Sequence, residues 1–159
     1  MINDDILKQA MARAEEFFGT QHDPSQIPVN LASYNKLVKL WPGAFSYDLR
    51  NNEPVSWVVV VPTSQTLMHQ FLHKAITERQ LLAYTAPAKV YACLYLCSAF
   101  TMPAFRRQGL AFKLLLESIK HAPIISGAPI FAWPTTQAGE EFIKKLESVL
   151  GKKVLRRQA

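Results

Sequence analysis

The chain has 159 residues, 49% apolar and 19% charged, with a net charge of +6. That suits one domain spanning 1–159 and excludes a disordered or low-complexity chain. No apolar run reaches the length of a membrane span, and the acidic start MINDD is unlike a secretory leader, so a cytoplasmic location is expected.

Taken in chain order, residues 4–18 carry apolar side chains at helical spacing, from Ile6 and Leu7 to Phe17 and Phe18. Asp4 and Asp5 favour the start of that helix and Gly19 its stop. After a polar loop, Ser33 can cap a short helix that carries Leu37 and Leu40 and ends near Pro42. Residues 44–50 and 54–61 flank Asn51 and Asn52, the pattern of a β-hairpin, with Pro62 closing the second strand.

Residues 64–84 read as a helical insertion in two pieces. Leu67, Met68, Phe71, Leu72 and Ala75 form one stripe. Thr77 and Gln80 have the spacing of a capping box, with Ile76 and Leu81 as its staple. The stripe should cover a sheet face or line an acceptor cleft; a partner chain over it would instead mean a homodimer. Residues 89–100 form a long apolar strand and 109–121 an amphipathic helix. Residues 129–133 give a short strand, and 137–150 a helix with Ala138, Phe142, Leu146, Val149 and Leu150 inward. Residues 152–157 read as a charged, solvated edge strand. The fold class is therefore α/β: a mixed, twisted sheet flanked by helices, with a right-handed strand–helix–strand crossover in its second half.

Cys93 and Cys97 are four apart in one strand, too far to bridge at about 3.3 Å per residue, so two free thiols are expected. His22, His69, His73 and His121 provide no companion ligand set, and no metal site is expected.

The chemistry concentrates in residues 99–112, AFTMPAFRRQGLAF. A strand ends, a turn follows, and a helix starts at a glycine. Such a helix start offers unpaired N–H groups and a positive dipole end to a phosphate. Gly109 and Ala111 allow close approach to the backbone, and Arg106 and Arg107 add charge. No Walker A lysine and no dinucleotide glycine pattern is present.

Residues 89–120 resemble the acyl-CoA-binding core of the GCN5-related N-acetyltransferase (GNAT) superfamily. Its Arg/Gln-x-x-Gly-x-Gly/Ala pattern is matched by Arg106-Arg107-Gln108-Gly109-Leu110-Ala111, preceded by Thr101-Met102-Pro103. The order of elements over residues 33–150 is similar too. The resemblance implies an acetyl-CoA donor whose diphosphate lies on the turn from Arg107 to Phe112. Its pantetheine arm would run beside Ala99, Phe100 and Thr101, and an amine acceptor would attack the thioester directly. A backbone N–H near Thr101 would stabilise the oxyanion.

The sequence departs from the family at the proton donor. Phe142 stands where many members carry a tyrosine. Tyr84, Tyr95 and Thr135 are alternatives for the acid; Glu78, Glu53, His69 and His73 for the base. Two other readings remain: a noncatalytic acyl-CoA-binding domain of the same fold, and a small basic nucleic-acid-binding protein.

Overall fold

The computed structural model describes residues 3–18 and 23–158. Its elements are α1 (Asp4–Phe18), α2 (Leu31–Leu40), β1 (Phe45–Arg50), β2 (Glu53–Thr63), α3 (Gln65–Leu72), α4 (Glu78–Tyr84), β3 (Cys93–Thr101), α5 (Leu110–His121), β4 (Ile130–Ala132), α6 (Gln137–Leu150) and β5 (Leu155–Arg156). The sheet has the order β1-β2-β3-β4-β5. Its first two pairings are antiparallel and its last two parallel. It is the mixed, helix-flanked sheet expected. The stop expected at Gly19 lies outside the described residues, as does His22. Among the described residues no helix is long and apolar enough to cross a membrane.

Local chemistry explains most boundaries. Asn51 and Asn52 both adopt left-handed backbone (φ 54 and 61), which a two-residue hairpin turn demands. The capping box forms as read: Thr77 accepts from the Gln80 amide and the Gln80 side chain accepts from that of Thr77. Asn30, not Ser33, caps α2. Its side chain accepts from the Ser33 amide at 2.9 Å, so the helix begins earlier than expected. Pro62 does not end β2, which continues to Thr63. β1 stops at the Phe45–Val59 pair, so on that edge Pro62 breaks no ladder bond. β3 starts at Cys93 rather than residue 89, with only an isolated bridge from Tyr91 to Ile124 before it.

One sheet face packs Val61, Tyr95 and Phe131 against α2, α3 and α4. The other packs Val58, Val60, Leu94, Leu96 and Ile130 against α5 and α6. Ala10 and Ala14 of α1 meet Trp57 and Phe100. In the 64–84 segment Met68 and Phe71 are fully buried, each worth about 1.5–3 kcal/mol of burial. Leu67 and Leu72 beside them are half-buried against the same core, whereas Ala75, past the end of α3, is exposed; the large side chains of the stripe thus pack within the chain, which weakens that argument for a homodimer. On α6, Ile143 and Leu146 face inward, whereas Val149 is 56% exposed, contrary to expectation.

The C-terminal segment is not the solvated strand expected. Arg156 bonds both Glu140 and Glu147, and Arg157 donates to the carbonyls of Phe71 and Ile76. The Arg157 guanidinium lies 4.5 Å from the Phe71 ring centre and 4.8 Å from that of Trp133. Arg156 and the Val154 amide hold the Glu147 carboxyl at about 2, well below its usual range. A depressed carboxylate stabilises the fold fully above its unfolded value, and that contribution disappears as pH falls through the folded value. Urea unfolding between about pH 5 and pH 2 should therefore show falling stability, and Glu147→Gln should flatten that slope while lowering stability at neutral pH.

Candidate functional site

β4 is short because Trp133 and Pro134 follow it, and proline lacks the N–H a continuing ladder needs. The β3–β4 pairing therefore ends at Leu96–Ala132, while β3 runs five residues further, to Thr101. Between Val59–Ser98 and Val60–Leu96 the register with β2 shifts, leaving Cys97 as an extra residue, a β-bulge. The bulge reverses the side-chain parity of β3, so Phe100 joins Trp57 on the α1 face instead of facing α5.

The far end of β3 is turned toward the open side. The Met102 amide donates to Val55 on β2 at 2.8 Å. By the two-residue alternation, the amides of Ala99 and Thr101 face away from β2. The Thr101 carbonyl does the same and accepts from Arg106 Nε at 3.1 Å. The chain then turns through Arg107 (φ 67) and Gly109 (φ 72) into α5. Gly109 caps α5 with no side-chain hydrogen bond, and the first bond into the helix runs from Lys113 to Gly109. The amides of Leu110, Ala111 and Phe112 ahead of it are thus presented at the helix end. Among the described residues, apart from the two chain neighbours of Gly109, no atom lies within 4 Å of where a side chain there would begin. The left-handed backbone itself calls for glycine here, and space remains for a ligand.

A cleft of about 840 Å³ opens along this edge, bounded by α1, α2, β3, α5 and the start of α6. Ala99, Phe100, Thr101, Arg106, Ala111 and Glu78 line it. Arg107, Gln108 and Gly109 are exposed at its α5 end, outside the wall, with Leu110 beside them. Phe112 packs edge-on against Phe142, centroids 5.6 Å apart, and Phe142 lines the cleft as a bare phenyl ring.

Tyr84 does not reach the cleft. It sits on the outer turn of α4, 56% exposed. Glu53, His69 and His73 are likewise exposed and outside the wall, and the two imidazoles merely stack at 6.5 Å. Among the described residues no group of three His, Cys, Asp or Glu could hold a metal ion, and both cysteines are free.

Glu78 is the carboxylate brought in. It is 8% exposed, accepting from the Tyr95 hydroxyl at 2.5 Å and from the Ile27 amide at 3.0 Å. Burial pushes its carboxyl above the usual range, opposed by those two hydrogen bonds and by the Arg157 charge. Burial and the Glu78 charge push the Tyr95 phenol and the Cys97 thiol well up. Sequence reasoning missed Tyr34, whose ring lines the cleft from α2 beside Phe45 and whose phenol burial also raises. Its spacing to Leu37 was the available signal.

No family model matches the chain. No curated protein matches it either. Solved structures do. An aminoglycoside N-acetyltransferase, AAC(6')-Iy, in complex with CoA, aligns with 99% of this chain and 88% of its own at a TM-score of 0.59 and 13% identity. The fold is that of the acyl-CoA N-acyltransferases. The NatB acetyltransferase complex bound to a bisubstrate inhibitor aligns with 83% of this chain and 67% of that chain (TM-score 0.46, 20% identity). The same complex bound to CoA and MES aligns with 83% and 76% (TM-score 0.49, 20% identity).

Within this acyltransferase fold, Tyr95→Phe leaves one oxygen of a buried carboxylate without its donor. It should cost about 1–3 kcal/mol in urea unfolding and drive the Glu78 carboxyl further up, as followed by carboxyl-sensitive infrared titration.

Proposed function

We propose that this protein is an acyl-CoA-dependent N-acyltransferase that moves an acetyl or other short acyl group from CoA to an amine. The observation that carries the reading is the edge of β3 that β4 leaves uncovered past Leu96, leading directly to the N-terminus of α5, where Gly109 offers no side-chain cap. An extended amide-bearing arm suits the edge; a diphosphate suits the helix end. Acetyl-CoA meets both demands, and the net charge of +6 favours its approach.

In this reading the amides from Arg107 to Phe112 hold the diphosphate, and Ala99, Phe100 and Thr101 flank the pantetheine arm. Thr101 lies at the α5 end of the edge. The bulge at Cys97 lies four residues, or about 13 Å, nearer the cleft apex. Amides from Ala99 back toward the bulge are therefore better placed than that of Thr101 to meet a developing oxyanion.

Glu78 acts as the base. It takes a proton from the acceptor ammonium, and the freed amine attacks the thioester carbonyl. The new C–N bond forms as the C–S bond breaks, the thiolate takes the second proton shed by nitrogen, and Glu78 returns its own to solvent. No side-chain acid is required, and Tyr84 has no part. The noncatalytic reading draws on one observation, the phenyl ring of Phe142 at the family's tyrosine position. Nucleic-acid binding loses support because Arg156 and Arg157 are engaged within the chain.

Calorimetric titration with acetyl-CoA tests the site. Gly109→Val should abolish binding, and Arg107→Ala should weaken it less, because backbone amides carry the contact. Gly109→Ala shares the left-handed backbone penalty of about 1–2 kcal/mol but presents a smaller obstacle, so equal binding by the two folded variants would count against a steric site. In a transfer assay Glu78→Gln should lower kcat by about 10²–10⁴-fold. Tyr84→Phe should leave it unchanged. Tight acetyl-CoA binding without transfer to any amine would favour the noncatalytic reading.

A further inference from the structure

The cleft extends past the β3 edge to the side of α1 and α2. There Leu7, Ala10, Met11, Tyr34, Leu37 and Trp57 line it, together with the polar Gln26, Asn30 and Ser33 at the start of α2, of which Gln26 bonds Asp23 and Asn30 bonds the Ser33 amide. This is a mainly apolar and aromatic surface shared by two helices and β2. Its charge is as informative. Among the described residues lining the cleft, Glu78 is the one carboxylate and Arg106 the one cation, and Arg106 lies at the α5 end beside Thr101. The undescribed residues (1, 2, 19–22 and 159) include no Asp or Glu side chain.

A polyamine or an aminoglycoside carries several ammonium groups. Desolvating each without a carboxylate partner is costly, and a chain of charge +6 repels such a molecule at long range. One buried carboxylate matches one ammonium. An apolar wall matches an apolar body, at about 25 cal/mol per Å² of surface removed from water.

We infer that the acceptor is a primary monoamine on an apolar body, of arylalkyl or branched-alkyl type, with its nitrogen at Glu78 and its body on the wall formed by α1, α2 and Trp57. The inference rests on the acyl-transfer reading and narrows it. Tyr34 closes over this wall edge-on to Phe45, centroids 6.0 Å apart, which gives an aromatic body a ring to pack against. Ile27, whose amide bonds Glu78, lines the same wall, so the carboxylate and the apolar surface are held by one segment.

The experiment compares kcat/KM for phenethylamine and isoamylamine with that for spermine and kanamycin at saturating acetyl-CoA. The two monoamines should exceed both polycations by at least about tenfold, the worth of roughly 1.4 kcal/mol. Met11→Glu, at a half-buried wall position on α1, should lower phenethylamine turnover about tenfold and raise that of spermine, while acetyl-CoA affinity by calorimetry stays at the wild-type value. Preference for spermine or kanamycin overturns the inference and leaves the acyl-transfer reading intact. So does a wall that holds the donor's chain instead, seen as octanoyl-CoA outperforming acetyl-CoA with all amines alike. Acetyl-CoA binding without acylation of any of the four amines also overturns it. Absence of acetyl-CoA binding removes the acyl-transfer reading and this inference with it.

Discussion

Past Leu96, β3 has backbone donors and acceptors on one edge and, among the described residues, no strand to meet them. An edge of this kind needs partners, from water or from a ligand, because an unmet peptide group is costly. The chain partly meets the demand itself, through Arg106 on the Thr101 carbonyl. The remaining edge is left to whatever enters the cleft. The arrangement follows from two local facts, the proline after β4 and the single extra residue at Cys97. The proline sends β4 away. The bulge turns Phe100 onto the α1 side, where it closes the core with Trp57 instead of filling the space beside α5.

The same economy of groups appears at Glu78. As the first residue of α4 it would ordinarily sit in water and favour the helix dipole. Instead the capping box at Thr77 turns α4 so that this carboxylate lies under the Ile27 segment, against Tyr95. Arg157 contributes an opposing charge from the far end of the chain, held between Phe71 and Trp133. Burial raises the pKa of this group in the cleft, and a core aromatic, a loop amide and a C-terminal arginine oppose that rise.

Elements whose cause is local were legible in the sequence. The hairpin at Asn51-Asn52, the break before Thr77 and the turn into α5 each carry their own residue chemistry, and each forms as read. Features that depend on distant partners were not. Nothing near Arg157 announces the two rings that receive it, and nothing near Pro62 shows that β1 has already ended beside it. Val149 fits a helical stripe, yet α6 turns Ile143 inward instead. For the candidate site, the turn into α5 was visible in six consecutive letters, while the α1 and α2 side of the cleft was not. Tyr34, Ile27 and Glu78 meet only because three separate segments converge. Tyr84 was nominated for its chemistry alone, and its outward direction depends on which face of α4 packs on the sheet.

Cys97 lies at the bulge, in the wall of the cleft. A thiol placed beside an acyl donor is a hazard, since exchange of one thioester for another needs almost no driving force. The thiolate is the attacking form, and burial together with the Glu78 charge keeps Cys97 in the neutral one. In the acyl-transfer reading, the carboxylate that readies the acceptor also quiets the nearest competitor. Loss of its charge would then do more than slow the productive reaction. It would lift one of two restraints on Cys97, burial being the larger, and so favour self-acylation, in which the protein becomes its own dead-end product.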